Sequence, residues 1–105
     1  MSFEDRRLEF ENKYAHDEEL RFRIESRRNR LMARWAADKL GLDEESSEQY
    51  VRTIVALGSS RAGEEAIVSR LRDDFRAAHI EQSDHQIRRR LSELLADAEQ
   101  QVTTA

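Results

Sequence analysis

The residues of this chain that could do chemistry are three histidines, a glycine-bracketed turn, scattered serines and a dense population of arginines and carboxylates. A zinc site needs several convergent ligands at short spacings, whereas His79 and His85 lie six residues apart with no cysteine anywhere in the chain. No metal site is expected. His16, followed by Asp17, Glu18 and Glu19, reads as a solvated imidazole. Residues 58–63, GSSRAG, have the two-glycine spacing of a phosphate-binding loop, but Glu64 and Glu65 stand where Lys and Ser or Thr are required. The stretch also follows a helical segment rather than a strand, so it is read as an interhelical turn. The serines at 46, 47, 59, 60, 83 and 92 are better explained by caps and turns than as nucleophiles. Most carboxylates are interleaved with arginines at helical spacings, which solvates a helix surface and needs no further task. Neither catalytic residues nor a cofactor are expected.

Of the 18 basic residues only Lys13 and Lys39 are lysines, which favours forked pairing with carboxylates or phosphates over point-charge display. Arg21, Arg23, Arg27, Arg28, Arg30 and Arg34 form one local cluster, and Arg88, Arg89 and Arg90 another. They leave a stand-alone helical regulator or nucleic-acid-binding module as an alternative reading. Against it stand the formal net charge of −4 and the acidic Glu25 and Asp38 among the arginines.

The elements that must position these groups are helical. With 105 residues the chain is one domain with a modest core, and 38% charged residues, no proline and three glycines favour an all-α protein. The N-terminal MSFEDRR lacks the apolar run of a signal peptide, and no stretch of 18 apolar residues occurs. A cytoplasmic, soluble protein without membrane insertion is expected.

The first forty residues hold no glycine or proline and predict one long helix, closed by Gly41 as its C′ residue. At about 1.5 Å per residue it would reach roughly 60 Å, twice the length of any later helix. At about 100° per residue, Leu20, Ile24, Leu31 and Trp35 share an arc of about 60° that wants a core. Continued toward the N-terminus this face meets Asp17, Lys13 and Arg6, so the buried stripe stops near Leu20. Phe3, Phe10 and Tyr14 form a second stripe, rotated by roughly 70°. Residues 1–19 are therefore separated as an N-terminal arm from a bundle of residues 20–102, with a frayed tail at 103–105.

Asp43 or Ser46 caps a second helix whose Tyr50, Val51, Ile54 and Leu57 share a face, interrupted at Gly58. Ile67, Leu71, Phe75 and Ala78 mark a third. His79 to Gln82 connects to a fourth, which starts at the capping-box pair Ser83 and Gln86 and buries Ile87, Leu91, Leu94, Leu95, Ala98 and Val102. Short connections make the helices antiparallel neighbours, hence a small four-helix bundle. The aromatic stripe lacks the sustained heptads of a coiled coil, and a monomer is expected.

The blocks FEDRRLEFENKYAHDEEL, RRNRLMARWAADKLGL and SDHQIRRRLSELLADA, spread over nearly the whole chain, resemble the zeta-subunit family, the inhibitor of the F-type ATP synthase of alphaproteobacteria. The resemblance implies a helical bundle with a mobile arm that inserts at a catalytic interface of the rotary motor and blocks ATP hydrolysis. Its partner would be the catalytic head of the enzyme. Carried onto this chain, the inhibitory segment is residues 1–19, with Phe3, Phe10 and Tyr14 as apolar anchors and Glu4, Asp5, Arg6 and Arg7 as charged contacts. Some members bind adenine nucleotide on the bundle. Where similar proteins carry an acidic stretch with an aromatic, this chain has GSSR at 58–61, which makes nucleotide binding less transferable.

Overall fold

With no proline available to stop a helix, the chain turns where glycine or a side-chain cap permits it. In the computed structural model, which describes residues 3–104 and their side chains from Asp17 onward, four helices follow: α1 Phe3–Leu40, α2 Glu44–Gly58, α3 Gly63–Ala77 and α4 Asp84–Thr104. The protein is an all-α four-helix bundle. Each helix packs on the next in sequence, and α4 returns to close the ring against α1.

The helix ends obey local chemistry. Gly41, at φ 71°, donates its N–H to the Asp38 carbonyl at 3.1 Å while Leu42 donates to Ala37 at 3.1 Å, the paired bonds of a Schellman motif. The same motif closes α3 without a glycine. His79 takes φ 58°, donating to Arg76 at 3.1 Å, and Ile80 donates to Phe75 at 2.8 Å and packs on the core. Asp43 caps α2, accepting the Ser46 N–H at 2.7 Å. Ser83 and Gln86 complete a reciprocal capping box, with bonds of 2.9 and 3.1 Å. At the far end α4 continues through Thr104, where Thr103 and Thr104 hydroxyls donate to the Glu99 and Gln100 carbonyls.

The core joins Met32, Ala33 and Ala36 of α1 to Val51 and Ile54 of α2, Ile67, Leu71 and Phe75 of α3, and Ile87 and Leu91 of α4. Here the face of α1 departs from the sequence expectation. Leu20, Ile24, Leu31 and Trp35 are only half-buried, whereas Met32, Ala33, Ala36 and Ala37 are fully buried and Asn29 nearly so. The reason is that α1 is gripped from two sides, by α2 and by α4, and its centre line carries small residues that let neighbouring backbones approach. Trp35 sits at the rim, edge-on to Phe75 at 5.7 Å, with Lys39 and Arg90 over its ring at 5.5 and 5.3 Å.

Every interface of the ring also carries a polar tie. Arg34 on α1 pairs with Glu48 on α2. The Tyr50 phenol on α2 donates to Asp74 on α3 at 2.6 Å, and burial together with that bond pushes its pKa well above the ordinary phenol value. Arg88 on α4 forks onto both carboxylate oxygens of Glu65 on α3, at 2.7 and 2.8 Å. Arg27 on α1 donates to Gln101 on α4 at 2.6 Å. The exposed pairs among these contribute little stability each, so apolar burial holds the bundle and the ties select the register.

Candidate partner-binding site

Along α1, steps of seven residues from Ala36 lead to Asn29 and then to Phe22, all near the line that faces the core. Coverage ends between the last two. At Asn29 the end of α2 presses against α1, where Gly58 leaves so little room that a Cβ there would clash with the Asn29 amide. At Phe22 no helix lies above, and the ring is 62% exposed. A groove of about 400 Å³ opens there, bounded by Phe22, Glu25 and Arg28 of α1, by Ser59 and Ser60 of the α2–α3 turn and by Glu64 in the first turn of α3.

The opposite flank of the same stretch faces α4. Leu20 and Ile24 border a second hollow, of about 370 Å³, together with Leu95, Asp17 and Glu99. Leu95, expected in the core, is instead 37% exposed and borders this hollow, whereas Ala98, one turn further along α4, is fully buried. Asp17, Glu18 and Glu19 are exposed and Leu20 is half-buried, so packing on α1 begins at Leu20 among the described residues. The helix itself runs unbroken through that point.

The residues assigned to the arm, Phe3, Glu4, Asp5, Arg6, Arg7, Phe10 and Tyr14, fall within the helical span of α1, and their side chains lie outside the described residues. Phe22 is the residue that sequence reasoning missed. Its signal was present in the seven-residue spacing to Asn29 and Ala36, but two small or polar residues do not announce a core line.

Several arginines of the two clusters have partners. Arg88 holds Glu65, and Arg89 and Arg90 both reach Glu93, at 3.4 and 3.3 Å. Arg21 bonds Glu25 at 3.3 Å. The Arg88 guanidinium holds the Glu65 carboxyl below the usual range and is itself raised by it. This pairing leaves the α4 cluster engaged with carboxylates rather than presented as a row for phosphates. Among the described residues no group of three or more His, Cys, Asp or Glu is placed to hold a metal ion. His79 instead serves as the left-handed cap of α3.

Comparison with known families gives this geometry its context. Residues 1–101 match the family model described as ATPase inhibitor subunit zeta. The chain belongs to the zeta family of ATPase inhibitor subunits. No individual curated protein matches it. The family span takes in the first 19 residues together with α1, α2, α3 and most of α4. No helix among the described residues is long and apolar enough to cross a membrane.

Proposed function

We propose that this zeta-family protein suppresses ATP hydrolysis by the F-type ATP synthase, its residues 1–19 inserting at a catalytic interface of the enzyme's head while the bundle remains outside. The observation that carries the reading is the family match, which begins at residue 1 and covers the arm together with the fold. The length of α1 supports it. The helix holds 38 residues against 15, 15 and 21 in the helices that pack around it. The inhibitor acts as a cytoplasmic monomer, has no catalytic role of its own and needs no cofactor for inhibition.

Phe3, Phe10 and Tyr14 serve as the apolar anchors, and Glu4, Asp5, Arg6 and Arg7 as charged contacts that orient the segment. Burying three aromatics at ~1.5–3 kcal/mol each yields roughly 5–9 kcal/mol. Ordering the segment costs about 1 kcal/mol per residue or more, so the anchors do not suffice alone. Contacts from the folded bundle must contribute.

The test is an ATP hydrolysis assay on the purified catalytic head, with the full chain, a chain lacking residues 1–19, and a peptide of residues 1–19. The full chain inhibits, the truncated chain does not, and the peptide is weaker than the full chain. If hydrolysis is unchanged by the full chain, the inhibitory reading fails; equal potency of the peptide removes the role of the bundle.

A further inference from the structure

We infer that α1 at residues 17–25 is a second docking surface, on which Phe22 enters an apolar pocket rimmed by basic side chains on the catalytic head of the ATP synthase; this rests on the inhibitor reading above. Two large hydrophobic residues are exposed among those described, Phe22 at 62% and Leu95 at 37%. A single exposed apolar side chain needs no explanation. These two flank the same stretch of α1. Phe22 stands in the groove shared with the α2–α3 turn, and Leu95 borders the hollow that Leu20 and Ile24 complete. The apolar material is therefore gathered at one end of the bundle, on both sides of the stretch that leads into the arm.

The charges that line the groove and hollows identify the occupant. The groove and hollows are bordered by Asp17, Glu18, Glu19, Glu25, Glu64 and Glu99, six carboxylates, against two guanidinium groups, Arg21 and Arg28. Arg21 is itself bonded to Glu25, at 3.3 Å. An acidic rim around an apolar centre fits a pocket with a basic rim. A second copy of the chain is disfavoured, because a two-fold contact through this surface would set the same carboxylates against one another. An anionic membrane is disfavoured for the same reason. The surface also adjoins the arm without a break in the helix, so an arm inserted in the head carries Phe22 to the head's outer wall beside the point of insertion. This supplies the bundle contact that the arm's own anchors require.

Three full-length proteins test the inference: the wild type, Phe22→Ser, and Glu25→Arg combined with Glu64→Arg. Each is measured for binding to the purified head, inhibition of ATP hydrolysis, thermal unfolding and mass by light scattering. Phe22 is mainly exposed, so Phe22→Ser keeps the wild-type melting curve while its Kd for the head rises about 10- to 100-fold. The charge-reversed protein associates more slowly, and its rate depends less on salt. If the wild type inhibits and both variants bind and inhibit at wild-type concentrations, the docking surface is overturned while the inhibitor reading stands. A wild-type dimer that Phe22→Ser returns to monomer makes a second copy the occupant and also overturns it. A wild type that neither binds nor inhibits removes both readings.

Discussion

Gly58 shows how much one missing methyl can matter. Its backbone is not left-handed; the glycine is required by space. An added Cβ would run into Asn29 Nδ2 and come to 3.0 Å from Ile67 Cδ1. Asn29 cannot swing away freely, because it is 5% exposed and its side-chain oxygen accepts from Arg28 Nε and Nη2 at 3.3 and 3.2 Å. Gly58→Ala is therefore expected to lower unfolding free energy by about 1–3 kcal/mol, the range for overpacking. Shortening the opposing side chain should recover part of that loss. In urea unfolding, Gly58→Ala should cost less in an Asn29→Ala background than in the wild type, and equal costs in both would show that the contact is not responsible. The effect belongs to this pair of positions, since Gly41 has nothing within 4 Å of an added Cβ.

Among the elements, α2 has a start that depends on a titrating side chain. The Ser46 N–H bonded to Asp43 favours the carboxylate and holds its pKa below the ordinary value. A pKa depressed on folding contributes stability that is present above the unfolded value and lost as pH falls through the folded one. Glu65, depressed by Arg88, acts in the same direction. Thermal stability of the bundle should accordingly hold through neutral pH and decline on acidification below about 4. Asn is an equally good N-cap but does not titrate, so Asp43→Asn should keep the neutral-pH melting temperature and flatten the acid decline. Circular-dichroism melts across that range decide it; identical declines in the two proteins would mean that the Asp43 cap makes no contribution.

At the scale of the molecule, the function proposed above divides α1 between stability and partner contact. Among the described residues, the fully or nearly fully buried side chains of α1 are Asn29, Met32, Ala33, Ala36 and Ala37, in the part of the helix that packs on α2 and α4. Removing residues 1–19 is therefore expected to change unfolding free energy by less than about 1 kcal/mol. The same truncation abolishes inhibition under the function proposed above. Urea titrations of the truncated and full chains check the first outcome, and a large loss of stability would mean that the arm belongs to the fold. The molecule measures 62 × 25 × 21 Å.

The sequence alone determined the elements and most of their ends. Helix content follows from the scarcity of glycine and proline, Gly41 and the Ser83–Gln86 box are local chemistry, and the buried faces of α2 and α3 follow from strongly periodic apolar residues. These properties involve only neighbours within a turn or two, so a linear reading can reach them. Three features waited for the tertiary structure. The core line of α1 runs through alanines and an asparagine, which periodicity overlooks because alanine is at home on any helix face. His79 closes α3 in a conformation that glycine usually supplies, sustained by the docking of Ile80 on the core. Phe22 is left uncovered because α2 ends at Gly58, beside Asn29, seven residues short of it along α1. Each depends on where a distant element stops in space, and that is decided by packing, not by the pattern of the residues themselves.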